Sequence, residues 1–230
     1  MLAERTPLHE KLKRKRVENL IRSFLRQARD HFYDRYQGEY LYEEYMSNLL
    51  RIDNNSSQIR QELAQCNWQQ LEELEVTHLE KMQKMGMTVD TQNTLPDIEE
   101  LIREIKDDAL RGTLLYANRY GDDNTRKVIE DYFDERSEIR FDLDPNEAMG
   151  KATKEDDKII YHISKDYEHA EKKHDLLNSA HIFVHESYRD GLNKGVKQDT
   201  RNAVYADIEF AKKIAEDFGP EFVEKSPYVK

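Results

Sequence analysis

"IRFDLDPNEAMGKATKEDDKIIYHIS", residues 139–164, decides the fold class. In its first five residues Ile139, Phe141 and Leu143 alternate with Arg140 and Asp142, the period-two pattern of a half-buried strand. Its end, 158–164, concentrates Ile159, Ile160, Tyr161 and Ile163, the β-branched and aromatic types that favour strands. The stretch between, 144–157, is polar and turn-prone, and reads as a connection. Elsewhere apolar residues recur at three and four. The expected class is therefore α+β, mainly α: amphipathic helices with a small β-sheet in the C-terminal half.

Working outward, residues 9–33 read as a helix, and helical spacing continues through Leu41, Tyr45, Leu49 and Ile52 with a break at Gly38. Five tyrosines between Tyr33 and Tyr45 could stack on bases or sugars, but packing with hydroxyls at the rim is the commoner use. A single helix is predicted from the "DNNSS" turn at 53–57 through Ile59, Leu63, Leu71 and Leu79 to a stop at Gly86. "TVDTQNTLPD" (88–97) is the clearest loop. A further helix runs from Ile98 to a stop at Gly112. The expected division is a helical region, 1–112, with a basic N-terminal arm, and an α+β region, 113–230, carrying the chemistry. The last helix, 200–218, has an apolar stripe of Val204, Ile208, Ala211, Ala215 and Phe218, stopped by Gly219–Pro220.

Composition narrows the functions. Apolar residues make up 37% and charged residues 36%, which suits helices with highly charged outer faces. Thirteen Tyr, eight Phe and one Trp argue against wholesale disorder. Net charge is −11, so the chain as a whole is no nucleic-acid binder by default. Residues 1–30 nevertheless hold nine Lys/Arg against four acids, a local +5, which leaves −16 on the other 200 residues. Basic residues 11–29 would dock on the chain's own acids, on an acidic partner or on a phosphate backbone. The lone Cys66 excludes an internal disulfide framework. No run of eighteen apolar residues exists, so no membrane span is expected. "VENLIRSFL" is too polar and too short for a signal-peptide core. Localisation is then cytoplasmic, or that of a longer exported protein.

Five of eight histidines lie between His162 and His185. On a helix, His185 stands about 40° and His174 about 20° from His181, beside Leu177, Val184 and Tyr188. Side chains four apart on a helix can bind one metal ion, as the two histidines of HExxH do. Glu186 follows His185 as the catalytic Glu follows the first His of that motif. Arg189 fills the slot of the second His, so a zinc site would need His181 with His185. Asp207, beside the apolar stripe of the last helix, is the candidate third ligand; Glu209 points away from it. Two histidines at this spacing also commonly make ordinary hydrogen bonds.

"HESYRDG" (185–191) and "DTRNAVYADIEFAKKI" (199–214) together resemble a paired motif of large, polymorphic-toxin-like secreted proteins, whose domain is similar to a degenerate zincin-type metallopeptidase. His185, Glu186, Tyr188, Arg189, Asp190 and Gly191 match the first element, His-Glu-Ala-Tyr-Arg-Asp-Gly. Thr200, Arg201, Ala203, Val204, Ala206 and Ala211 match the second, which carries a His where this chain has Asp207. The resemblance implies a metal-dependent hydrolase, a peptidase or toxin-type effector acting on a peptide or protein. His181, His185 and Asp207 would hold zinc, Glu186 would be the general base, and Tyr188, Arg189, Asp190 and Arg201 would support the site. The alternative is a non-catalytic helical structural or interaction module of a larger secreted or surface protein. There Arg189, Asp190 and Arg201 form a buried ion-pair network between two helices. A third reading is an adaptor that binds an acidic partner or nucleic acid through residues 11–29.

Overall fold

The computed structural model describes residues 6–35, 56–88, 97–188 and 196–222. The chain forms two compact units, Met1–Asp97 and Ile98–Lys230. The expected boundary at 112/113 instead falls inside a helix of the second unit.

In the first unit, α1 (Pro7–Arg35) packs against α2 (Ser56–Gln65) and α3 (Trp68–Lys84). Val17, Leu63 and Leu71 form its core, flanked by Ile21, Ile59, Cys66 and Leu74. The single helix expected over 57–85 is broken at Cys66–Asn67. Asn67 caps α3: its side chain accepts from the Gln70 amide, and the Gln70 side chain accepts from the Asn67 amide. That reciprocal pair satisfies two orphan donors and favours a new start over continuation. Gly86, at φ +66°, ends α3 in the left-handed region that glycine adopts without penalty. The continuation expected through Leu41–Ile52 and most of the 88–97 loop lie outside the described residues.

The second unit opens with α4 (Ile98–Arg103), α5 (Asp108–Tyr120) and α6 (Asp123–Phe133). Gly112 does not stop a helix; it lies inside α5. A Cβ there would come within 2.6 Å of Leu176, so the glycine permits a close helix approach. The break comes earlier, where Asp107 caps α5 through the Leu110 amide.

Three strands follow: β1 (Ser137–Leu143), β2 (Gly150–Glu155) and β3 (Lys158–Ser164), in the spatial order β1-β3-β2. β1 runs parallel to β3 and β2 antiparallel to it. The mainly α, α+β class holds, but part of the expected connection is the edge strand β2. A two-residue turn joins β2 to β3, with Asp156 at φ +51°, which Asp tolerates.

After a 3-10 turn at Lys165–Tyr167 comes α7 (Lys173–Ser187), then α8 (Val196–Phe218). β2, β3, α5, α6 and α8 all contact α7. Surrounded in this way, it is buried without interruption from Leu177 to Ser187. Tyr161 of β3 meets Phe183 edge to face at 5.5 Å between ring centroids. Thr113 and Ser179, both wholly buried, satisfy each other across α5 and α7 at 2.6 Å. A helix with polar groups buried on every side carries more than packing alone requires.

Candidate functional site

The site lies on the last two turns of α7 and the middle of α8. His185 Nδ1 is 2.7 Å from Asp207 Oδ2, and His181 Nε2 is 3.3 Å from Asp207 Oδ1. His181, His185 and Asp207 are 3%, 5% and 5% exposed, and Glu186 is 2% exposed. One carboxylate thus bridges two imidazoles between two helices. Burial pushes the Asp207 carboxyl up, but hydrogen bonds from His181 and His185 outweigh it and hold the group below its ordinary value. Asp207 is therefore ionised at neutral pH.

Asp207 gets there because α8 is rotated from its expected orientation. Val204 is 47% and Ile208 43% exposed, although both belong to the predicted apolar stripe. The buried face is Ala203, Asp207, Phe210 and Ile214, with Ala206 and Ala211 alongside. Their spacing of four, three and four is one clean helical face. Small alanines let α8 approach α7, and Phe210 lies against the His181 ring at 5.1 Å.

Glu186 faces the sheet. A Cβ on Gly150, at the head of β2, would stand 2.9 Å from Glu186 Cγ and 3.1 Å from its Oε1. The glycine makes room for this carboxylate.

The C-terminal end of α7 is tied to the start of α6. The Tyr188 hydroxyl donates to Asp122, whose other oxygen caps α6 through the Thr125 amide. Asn124 donates to the Ser187 carbonyl at 3.1 Å. Burial raises the Asp122 carboxyl, while Tyr188 and the Thr125 amide and hydroxyl lower it further, so it sits below its ordinary value. Burial, reinforced by Asp122, pushes the Tyr188 hydroxyl well up. Sequence reasoning missed Asp122 and Asn124. Asp122-x-x-Thr125 is legible as a cap, but its partner across sixty-odd residues is not.

The remaining candidates divide. Arg189 and Asp190 lie outside the described residues. Arg201 is not a member of a buried ion-pair network: it is exposed on α8 and rests over the Tyr205 ring at 5.8 Å. Its position on the outer face of the rotated helix explains this. Glu209 is also exposed, paired with Lys212 at 2.7 Å. His174, half-buried, meets Asn178 and Asp175 rather than Asp207. No three His, Cys, Asp or Glu side chains among the described residues stand together as a ready metal-ligand set.

Four described residues of the basic arm, Lys13, Lys15, Arg16 and Arg22, pair within their own unit. Lys13 and Arg16 pair with the buried Glu75, and Lys15, Arg22 and Arg60 with the buried Glu18. Among the described residues no helix is long and apolar enough to cross a membrane. Compared with known protein families, curated proteins and solved structures, the chain has no match.

Proposed function

We propose that the second unit is a metal-dependent hydrolase acting on a peptide bond, with His181, His185 and Asp207 as the groups that hold the ion and Glu186 as the general base. The observation that carries this reading is the convergence of His181 and His185 on Asp207, all at least 95% buried, with the buried Glu186 next in sequence to His185. Two imidazoles and a carboxylate are donor types that hold catalytic zinc. Asp207 brings a buried negative charge to the two imidazoles, which a bound cation would complement. The ion would supply Lewis acidity and a nucleophilic water at neutral pH.

The chain's own residues have these roles. Asp207 stands between the two rings and orients them; each ligating ring nitrogen would have to be the unprotonated one, with the ring proton carried on the other nitrogen. Glu186 takes the proton of the attacking water and returns it to the leaving amine. Gly150 keeps β2 close to that carboxylate. β2 is the end strand of the sheet, so an extended peptide added to its outer edge would start beside Glu186.

A second reading is favoured by the directness of the bond between His185 and Asp207. A buried carboxylate that bonds His185 and stands 3.3 Å from His181 Nε2 is a metal-free fastening between α7 and α8, and it suits a non-catalytic interaction module. Metal analysis of untagged protein separates the two. The hydrolase reading expects about one zinc per chain, retained in Glu186→Gln and lost in His185→Ala. Protein that takes up no zinc, and whose thermal unfolding ignores added zinc and chelator alike, belongs to the second reading.

A further inference from the structure

A cavity of about 410 Å³ adjoins the buried cluster. Tyr120, Tyr188, Tyr205 and Phe210 wall it, and Asp122 and Glu209 bring carboxylates to it. Phe210 is a shared wall, because its other side lies against His181.

The chemistry of the lining is that of a cation site. Two of its three tyrosine hydroxyls donate to carboxylates: Tyr188 to Asp122, and Tyr120 to Asp217 at 2.7 Å. The rings line the walls, and Asp122 and Asp217 stand at the hydroxyls of two of them. Aromatic faces attract guanidinium and ammonium groups, and carboxylates give a guanidinium fork its bidentate partner. Asp122 stays ionised across the neutral range because its carboxyl is held low. Among the described residues of the lining the one cation is Lys213, which turns its ammonium to the carbonyls of Tyr120 and Gly121 at 3.1 and 3.4 Å. There it complements the C-terminus of α5. Arg201 already lays its guanidinium over Tyr205, so this ring accepts that group in the free chain.

We propose that this cavity receives an arginine side chain of a peptide, held between the tyrosine rings and the Asp122 and Glu209 carboxylates. The step from peptide ligand to peptide substrate rests on the hydrolase reading; binding of the side chain does not.

The test is calorimetric titration of the full chain with Nα-acetyl-arginine-N-methylamide, its citrulline counterpart and agmatine. Citrulline keeps the shape and loses the charge. The arginine amide should bind about tenfold more tightly than the citrulline amide, and more tightly than agmatine, which lacks the peptide groups. Glu209→Lys and Tyr205→Ala change exposed side chains, so folding is retained, and each should weaken the arginine amide about fivefold or more. Equal binding of arginine and citrulline amides, indifference to both variants, or no binding at all overturns the proposal. Tighter binding of agmatine than of the arginine amide overturns the assignment to a peptide. Zinc content measured on the same samples keeps the two readings apart. Arginine binding without zinc removes the hydrolase alone, and zinc without arginine binding removes the pocket alone.

Discussion

Both units bury carboxylates, but they match them differently. In the first, Glu18 meets Lys15, Arg22 and Arg60, and Glu75 meets Lys13 and Arg16. These partners are permanently charged at neutral pH, and Arg16, Arg22 and Arg60 reach solvent with a third or more of their side chains exposed. In the second, Asp207 meets two imidazoles, and Glu186 turns to the sheet under Gly150. Fixed cations with one end in water make a structural ion pair. Imidazoles sealed from water around a carboxylate are the arrangement on which the hydrolase reading rests. The difference separates the two units as architecture and candidate chemistry.

The sharpest way to break that contrast is Asp207→Ala. It leaves two buried imidazoles without their shared acceptor, and water cannot replace it easily at this exposure. The expected loss is about 3 kcal/mol in urea unfolding, because uncompensated buried polar groups are costly. A loss below about 1 kcal/mol would make the cluster as replaceable as a surface pair.

Gly150→Ala comes next. The added methyl would stand 2.5 Å from Ile182 Cγ2 and 2.9 Å from Glu186 Cγ, so β2 or the end of α7 must move. Overpacking of this kind costs about 2 kcal/mol. Under the hydrolase reading, turnover should fall more than zinc content does, since Glu186 shifts while the imidazoles stay. Equal loss of both would place the disturbance at the ligands instead.

How much of this was legible in the sequence depends on what set each feature. β1 and β3 announce themselves because Ile139, Phe141, Ile160, Tyr161 and Ile163 keep the strand signature. β2 does not: in Gly150–Glu155 only Ala152 is buried, and Lys and Glu elsewhere suit an edge strand exposed to water. The convergence of His185 with Asp207 was expected from helix spacing, but for a slightly wrong reason. Val204 and Ile208 look like the core face of α8, yet Ala203, Phe210 and Ile214 are buried with Asp207 at their centre. A hydropathy stripe ranks Asp as an outward residue; only its imidazole partners make burial affordable. Gly112 likewise reads as a stop in one dimension and as a packing contact in three.

In the first unit, Glu18→Gln should cost about 1 kcal/mol, less than the Asp207 change, because the partly exposed arginines that lose their partner can turn to water. The difference from wild type should narrow in high salt, measured by urea unfolding at two ionic strengths. A salt-independent cost near 3 kcal/mol would erase the distinction between the units.

The smallest effect is expected at the tie between α7 and α6. Tyr188→Phe removes one donor from Asp122 while the cap to Thr125 remains, for a cost of about 0.5 kcal/mol at neutral pH given the partial exposure of the pair. The sign with pH follows from the carboxyl being held below its ordinary 3.8. A depressed carboxyl stabilises the fold fully above its unfolded value and loses that contribution as pH falls through the folded one. Removing the hydroxyl lets the folded value rise towards 3.8, so the variant has less to lose in acid. Wild type and Tyr188→Phe should therefore differ at neutral pH and converge as acid protonates Asp122, followed by unfolding at a series of pH values. A gap that stays constant into acid would mean that Tyr188 acts through packing, and that its bond to Asp122 contributes nothing to holding the end of α7.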